Sequence, residues 1–295
     1  MDLLHTPQEL QARADAERAV GRRIALVPTM GALHEAHLRL VDEARKRADR
    51  VVVSIFVNPA QFNAAADLEA YPRSLDADLA ACRERGVDIV YAPEASALYP
   101  DGHQTWVSVS ELEKPLCGAS RPGHFRGVAT VVSKLFLAAK PHVALFGEKD
   151  FQQLAILRRL ARDMGFDLEV VGVPTVREPS GLALSSRNVH LGAEARSQAV
   201  CLVRALVAAE SAARAGETRR DALLTLAAEE VAKAPLAQTD YLELRDPESL
   251  APAPERLTGP TLLALAVNFP SRDGGEVRLI DNRVLPVQRN QEEPS

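Results

Sequence analysis

The sequence predicts an α/β fold, in which a parallel sheet carries helices on both faces and a smaller α+β domain follows. In the first 175 residues, apolar runs rich in β-branched residues alternate with segments whose apolar residues recur at helical spacing. That alternation is typical of right-handed crossovers in a parallel sheet. From residue 176 onward, helical segments come first and strand-like runs follow, which is an α+β grouping.

In the first part, strands are indicated by apolar runs long enough to be buried on both faces of a sheet. Helices are indicated by apolar residues at helical spacing, and most of them end at a Gly or before a Pro. The predicted strands cover 24–27, 51–57, 88–92, 142–146 and 168–173. The predicted helices cover 38–48, 75–85, 127–139 and 150–164.

The second part runs from 176 to 285 and opens with two alanine-rich helical patterns. Three strand-like runs then follow. The predicted helices cover 193–214 and 221–232, and the predicted strands cover 241–244, 262–269 and 277–280. The polar tail at 286–295 is predicted to be disordered.

Composition narrows the functional classes. The 295 residues are 46% hydrophobic and 25% charged, as in soluble globular proteins, and the net charge of -5 argues against a general nucleic-acid binder. No signal peptide is visible, and no apolar run approaches the roughly 20 residues of a membrane span. Three widely spaced cysteines, Cys82, Cys117 and Cys201, form no CxxC pair. A reduced, cytoplasmic protein is therefore expected.

The most informative segment is PTMGALHEAH at 28–37, between the first predicted strand and the first predicted helix. It places His34 and His37 at a helix N-terminus, where backbone N–H groups and the helix dipole favour an anion such as a phosphate. By itself, such a pair is as often structural as functional. A zinc protease helix has its histidines four residues apart rather than three, and neither a GxGxxG nor a GxxxxGK[ST] motif is present.

Two further clusters carry chemistry suited to phosphates. GEKD at 147–150 again lies between a strand and a helix, where Lys149 can meet phosphate charge and Asp150 can act as a helix cap or a ligand. LSSRN at 184–188 offers two hydroxyls and a guanidinium that could clamp triphosphate oxygens, although the composition is also common in loops. Ligands bind beyond the carboxyl ends of parallel strands, so the turns at 28–37, 58–61 and 147–150 should share one crevice.

Uncharged polar groups beside these clusters suggest a polar substrate. Gln61 follows a strand, and either Gln152 or Gln153 should face the crevice. Amide groups can bind hydroxyls and a carboxylate without burying net charge. Asp76 and Asp78 could approach Mg²⁺, but acidic residues at a helix start need no metal.

Together these motifs resemble the pantothenate synthetase (pantoate–β-alanine ligase) family, in its order and spacing, from about residue 1 to 283. The resemblance implies an ATP-dependent condensation of (R)-pantoate with β-alanine to pantothenate, through pantoyl adenylate, with release of AMP and pyrophosphate. It also implies a Rossmann-like ATP- and pantoate-binding domain at 1–175, a lid domain at 176–285, and a homodimer. The matching segments are PTMGALHEAHL at 28–38, FVNPAQF at 56–62, YPR at 71–73, RPGHFRGV at 121–128, FGEKDFQQL at 146–154, LSSRN at 184–188 and RLIDN at 278–282.

By the same resemblance, His37 is the proton donor, His34 lies beside it on the phosphates, and Lys149 and Arg187 neutralise developing charge. Gln61 would contact pantoate and β-alanine, and Gln153 pantoate. Mg²⁺ would bridge phosphate oxygens, with its protein ligands unknown. The implied ATP-binding residues are Met30, Gly31, Ala32, Leu33, His34, Glu35, Ala36, His37, Gly147, Glu148, Lys149, Asp150, Val176, Leu184, Ser185, Ser186 and Arg187.

The chain departs from the family pattern at three places. Ala36 replaces a usual Gly at the implied ATP site, and Ser180 replaces a usual Asp. The segment at 63–67 lacks the usual Gly and acidic pair. Two competing functions follow: a nucleotidyltransferase that keeps the AMP on its product, and a nucleotide-binding regulator on a decayed scaffold. The retained Lys149, Gln61, Gln153 and Arg187 argue against decay.

Overall fold

A computed structural model of the chain describes residues 1–63, 68, 69 and 71–286. The chain divides into two compact units, Met1–Thr175 and Val176–Ser295. Most of the atypical segment at 63–67 and of the predicted disordered tail at 286–295 lies outside the described residues. None of the described helices combines the length and apolar character that a membrane crossing requires.

The first unit alternates strands with helices, as the sequence predicts. Its strands are β1 (Asp2–Leu4), β2 (Ile24–Thr29), β3 (Arg50–Ile55), β4 (Ile89–Tyr91), β5 (Val143–Gly147) and β6 (Glu169–Val173). Its helices are α1 (Pro7–Ala19), α2 (Glu35–Arg45), α3 (Leu75–Glu84), α4 (Ala95–Leu98), α5 (Cys117–Ser120), α6 (His124–Ala139) and α7 (Phe151–Asp163). Short 3₁₀ turns occupy Pro59–Gln61 and Glu148–Asp150.

All six strands pair in parallel in the order β1-β4-β3-β2-β5-β6, which confirms the predicted fold class. Two apolar cores cover the two faces of the sheet, and α6 is buried along nearly its whole length. From β2 the chain proceeds outward through β3 and β4, then returns to the other side of β2 as β5. The strand order therefore reverses between β2 and β5, the position at which open α/β sheets bind ligands.

The sheet opens at this reversal. β2 pairs with β3 through six residues but with β5 only through Ala25 and Leu26. The carbonyl of Ile24 accepts from the N–H of His142 on the β5 side. Backbone groups alternate in direction along a strand, so the nitrogen of Pro28 also faces β5, where proline has no proton to donate. The carboxyl ends of β2 and β5 are thus not paired with each other, and the gap between them is called the crevice below.

Several element boundaries differ from the prediction. β1 and α1 were not expected, because a three-residue strand is too short to show periodicity and α1 has a weakly apolar sequence. The helix expected at 38–48 begins at Glu35, since the polar residues of its first turn mask its start. The strand expected at 51–57 ends at Ile55.

The second unit packs helices against an antiparallel sheet of order β7-β8-β9. The single helix predicted at 193–214 is wrong. A tightened turn, in which the N–H of Leu202 bonds the carbonyl of Ala199, divides it and lets both halves reach one core. The elements are a 3₁₀ turn (Ser186–His190), α8 (Ala193–Gln198), α9 (Cys201–Arg214), α10 (Arg220–Ala232), β7 (Gln238–Arg245), β8 (Thr261–Pro270) and β9 (Glu276–Leu285).

Candidate active site

Three of the turns singled out by sequence follow β2, β3 and β5, which are neighbours in the sheet. The side-chain amide of Gln61, after β3, donates to the sulfur of Met30, after β2, at 2.9 Å. The charge of Lys149, after β5, reaches His34 and lowers its pKa. The turns at 28–37, 58–61 and 147–150 therefore lie together, as expected from the sequence.

The two histidines form a close pair. Their ring centroids lie 4.1 Å apart at an interplanar angle of 33°. The backbone N–H of His34 donates to Nδ1 of His37 at 3.3 Å. Because Nδ1 of His37 accepts this bond, the proton of the neutral ring belongs on Nε2. His37 can therefore present an N–H donor from Nε2.

Both imidazoles are held in the neutral form. Burial lowers the pKa of His37 to about 3, helped by His34 and Lys149 and opposed by Asp150. Burial and Lys149 lower the pKa of His34 as well. Among the described residues, the buried Nδ1 of His34 has no hydrogen-bond partner. A site with one unsatisfied imidazole nitrogen beside a lysine is suited to a polyanion, which would stabilise added protons.

The turn before α2 is held by Asp78, which sequence reasoning considered only as a metal ligand or a helix-start acid. Its buried carboxylate accepts from the backbone N–H groups of Ala32 (2.9 Å) and Leu33 (2.7 Å). Gly31 and Ala32 both have positive φ, at 79° and 50°. A non-glycine residue in this conformation is strained, so the carboxylate stabilises an otherwise unfavourable turn.

Asp78 also changes which backbone groups can bind an anion. Asp78 occupies the N–H groups of Ala32 and Leu33, so these two are not available to a ligand. The N–H groups of Glu35 and Ala36, the first two residues of α2, make no hydrogen bond within the described part of the chain. These two are the open donors of the helix N-terminus.

The two glutamines of α7, Gln152 and Gln153, differ in burial and in whether their side-chain amides are already hydrogen-bonded. Gln152 is buried and holds the loop before α5, accepting from the N–H of Cys117 and donating to the carbonyls of Leu112 and Pro115. Gln153 is half-buried, and its side chain has no hydrogen-bond partner among the described residues. Gln152 is thus a structural residue, and Gln153 has its amide available.

In the second unit, the segment from 176 to 188 is a compact loop. The N–H of Leu184 donates to the carbonyl of Val176 at 2.9 Å. The hydroxyl of Ser185 accepts from the N–H of Arg187 at 3.3 Å, and the Arg187 side chain is exposed. The hydroxyl of Ser180 accepts from the N–H of Leu182 at 3.4 Å. The hydroxyl thus makes the local turn bond that a short polar side chain can provide.

Within residues 1–63, 68, 69 and 71–286, no group of three His, Cys, Asp or Glu side chains is arranged to hold a metal ion. Both oxygens of Asp78, one of the two carboxylates considered for Mg²⁺, are bound to backbone N–H groups. The carboxylate of Asp78 is therefore already used in holding the turn before α2.

A family model described as pantoate-beta-alanine ligase matches residues 2–284. The chain belongs to the pantoate–β-alanine ligase family. The pantothenate synthetase of Citrifermentans bemidjiense is 52% identical over 285 residues, which are 97% of this chain and 99% of that protein. The pantothenate synthetase of Geobacter sulfurreducens is 49% identical over 289 residues, again 97% of this chain and 99% of the relative.

Solved structures agree with this family assignment. Pantothenate synthetase from Thermus thermophilus matches with a TM-score of 0.89 and 44% identity, covering 97% of this chain and 100% of that one. Pantoate-beta-alanine ligase from Francisella tularensis, complexed with beta-gamma ATP and beta-alanine, matches with a TM-score of 0.75 and 31% identity. That match covers 96% of this chain and 97% of the other. The resemblance, the α/β fold and the ligase class are thereby confirmed.

Proposed function

We propose that this pantoate–β-alanine ligase condenses (R)-pantoate with β-alanine, using ATP and forming pantoyl adenylate, and releases AMP and pyrophosphate. The observation that carries the proposal is the crevice between β2 and β5, where a neutral imidazole pair, Lys149 and Gln61 meet. Full-length membership of the family supports the same chemistry. We also propose that the protein is a cytoplasmic homodimer with small-molecule substrates and no nucleic-acid or membrane partner.

In the first step, a carboxylate oxygen of pantoate attacks the α-phosphorus of ATP. The bond from that phosphorus to the bridging oxygen breaks, and pyrophosphate leaves with the negative charge. The substrate is itself the nucleophile, so the residues supply position and charge stabilisation. Nε2 of His37 donates to phosphate oxygen, with His34 beside it, and Lys149 meets the growing charge as a cation.

His37 is proposed as the proton donor, and its low pKa limits when it can act. With a pKa of about 3, the ring carries no extra proton at neutral pH in the absence of a ligand. Nearby phosphate charge favours the protonated form of a histidine. We therefore propose that neutral His37 donates a hydrogen bond when ATP first binds. It takes up a second proton, and can then act as a proton donor, only after the nucleotide is bound.

In the second step, the amine of β-alanine attacks the acyl carbon of pantoyl adenylate. The carbon–oxygen bond to AMP breaks, the amide forms, and the nitrogen releases a proton. We assign Gln61 to pantoate and β-alanine, and Gln153 to pantoate. Mg²⁺ is proposed as the companion of the ATP phosphates, where it would neutralise charge on the leaving pyrophosphate.

The remaining ATP contacts are assigned to the second unit. Val176, Leu184, Ser185, Ser186 and Arg187 are proposed to bind ATP, with the Arg187 guanidinium on phosphate oxygens. The domain at 176–285 would act as a lid. The exposed side chain of Arg187 supports this assignment, because its guanidinium can donate to phosphate oxygens.

The decisive experiment is an assay of AMP and pyrophosphate with ATP, pantoate and β-alanine, omitting each in turn. We expect AMP only when all three are present, and pyrophosphate in a single turnover with ATP and pantoate alone. A stable adenylyl conjugate that resists β-alanine would instead indicate a nucleotidyltransferase. ATP binding without any turnover would indicate a regulator.

Replacing Gln61 or Gln153 with Ala should impair pantoate use more than ATP binding. Each amide supplies hydrogen bonds to a polyol acid, and losing one such bond typically costs about 0.5–1.5 kcal/mol. Titration calorimetry of each variant with ATP and with pantoate measures the two affinities separately. Gln8→Ala, at an exposed position on α1, is the control. If the variants lose affinity for ATP alone, Gln61 and Gln153 do not bind pantoate and the proposed assignment is wrong.

Replacing Ala36 with Gly should tighten ATP binding and slightly lower the melting temperature. Ala36 is the second residue of α2 and carries one of the open N–H groups, so its methyl group limits how closely a nucleotide approaches. Relieving a steric contact is worth about 1–3 kcal/mol, whereas Gly disfavours a helix interior by about 1 kcal/mol and a helix end by less. ATP dissociation constants and melting curves test both effects.

Ala80→Gly, at an exposed position on α3, is the matched control for Ala36→Gly. It should lower the melting temperature without changing ATP affinity. Equal or weaker ATP binding by Ala36→Gly would mean that the methyl group does not obstruct the nucleotide.

A further inference from the structure

Asn58, at the end of the loop after β3, is buried and has its amide orientation fixed by the backbone. Its Oδ1 accepts from the N–H of Ala60 at 3.3 Å, and its Nδ2 donates to the carbonyl of Gly127 at 3.1 Å. A backbone N–H can only donate and a carbonyl can only accept, so the reversed amide would lose both bonds. Gly127 makes this contact possible, because a Cβ there would lie 2.2 Å from the carbonyl oxygen of Ala60.

The fixed amide of Asn58 determines which end of Gln61 faces the site. Nδ2 of Asn58 also donates to Oε1 of Gln61 at 3.1 Å. The oxygen of Gln61 therefore already accepts one hydrogen bond, and its Nε2 is directed toward the sulfur of Met30 at 2.9 Å. Thioether sulfur is a weak acceptor, so a substrate oxygen would be a better partner for this N–H group.

Tyr99 also contacts Asn58, on the amide oxygen. Its hydroxyl donates to Oδ1 of Asn58 at 2.9 Å. Its ring stacks on Trp106, with centroids 6.1 Å apart, and Nζ of Lys134 lies 5.1 Å from the ring centre. Burial raises the pKa of Tyr99 to about 12, so the hydroxyl keeps its proton at neutral pH. Tyr99 is thus a constant donor on a fixed ring.

We propose that Tyr99 and Asn58 are positioning residues that present the Nε2 N–H group of Gln61 to the substrate as a hydrogen-bond donor. The group that meets this N–H is then an acceptor, a hydroxyl or carboxylate oxygen, and not the ammonium group of β-alanine. This inference rests on the proposed function, which assigns Gln61 to the substrate pocket. Neither Tyr99 nor Asn58 needs to touch the substrate in order to act.

Tyr99→Phe tests this positioning role, since it removes the hydroxyl and keeps the ring. We expect the KM for pantoate to rise about 3- to 10-fold, as for the loss of one buried hydrogen bond, with kcat changed less and ATP affinity unchanged. Tyr91→Phe is the matched control. Tyr91 is fully buried in the same unit, and its hydroxyl has no hydrogen-bond partner among the described residues.

A double-mutant cycle separates a positioning role from a structural one. In a Gln61→Ala background, Tyr99→Phe should add no further change to the KM for pantoate. If the two substitutions change the KM additively, or if Tyr99→Phe alone leaves the KM unchanged, Tyr99 does not act through Gln61. An unchanged KM in Gln61→Ala alone would overturn the proposed pocket itself, and with it the substrate half of this inference.

Gln61→Glu tests the donor assignment. One carboxylate oxygen would keep the bond from Asn58, and the other would replace the N–H group with an acceptor. We expect the KM for pantoate to rise more than in Gln61→Met, a variant of similar length without polar hydrogens. A lower KM for β-alanine in Gln61→Glu would show that Gln61 meets the ammonium group, which would overturn the donor assignment.

Discussion

Replacing Lys149 with Ala is expected to slow pantoyl adenylate formation by about 10²- to 10³-fold, as for loss of one preorganised group that stabilises transition-state charge. Lys149 lies after β5 at the strand reversal, close enough to both imidazoles to lower their pKa values. Charge moves from pantoate to pyrophosphate in this step, and a cation at this position stabilises it. Rapid-quench measurement of adenylate in a single turnover isolates the step from product release.

Two further measurements make the Lys149→Ala result specific. The pKa values of His34 and His37 should rise in the variant, because a cation that disfavours their protonated forms has been removed. NMR titration of the imidazoles detects this shift. Lys114→Ala, which removes an exposed lysine paired with Glu111, is the control and should leave adenylation unchanged. Near-normal adenylate formation in Lys149→Ala would disprove the assignment.

Replacing Asp78 with Ala should damage both folding stability and catalysis. The variant loses two charge-assisted hydrogen bonds and leaves the N–H groups of Ala32 and Leu33 unpaired in a turn with positive φ. We expect the free energy of unfolding to fall by about 2–4 kcal/mol, on the scale of hydrogen bonds to charged groups. Urea unfolding measures the stability, and titration with ATP measures the site.

Asp76→Ala is the matched control for Asp78→Ala, because Asp76 lies on the same first turn of α3 and is exposed. Its removal should change stability by less than about 0.5 kcal/mol. If the variant at 78 is as stable as the one at 76, the carboxylate does not hold the turn. If it loses stability but binds ATP normally under conditions in which it is fully folded, the turn does not shape the nucleotide site.

The local part of the site could be predicted from sequence. The apolar run, the Pro and Gly that follow it, the two histidines and the amphipathic segment all lie between residues 24 and 48. Such a pattern gives a strand, a turn and a helix N-terminus without any knowledge of the sheet order. For the same reason, the similar strand-to-helix turn at 147–150 could be recognised as its companion.

The contacts that hold the site could not be predicted, because they join distant parts of the chain. Asp78 lies 46 residues from Ala32, and its acidic neighbours give it the ordinary pattern of a helix start. Tyr99 reaches Asn58 across 41 residues from an irregular segment. The choice between Gln152 and Gln153 depended on the loop at 112–117, whose path has no periodic signal.

The missing pairing between β2 and β5 has a consequence for affinity. Pro28 presents no N–H group to β5, so the two strand ends have no hydrogen bonds there that a ligand would have to break. The crevice is part of the ground-state backbone, and the free energy of binding is not reduced by work done to separate strands. Because Pro28 cannot donate a backbone hydrogen bond to β5, the two strand ends also cannot pair fully with each other when no ligand is bound. Ligand entry between β2 and β5 therefore does not require any strand pairing to be broken.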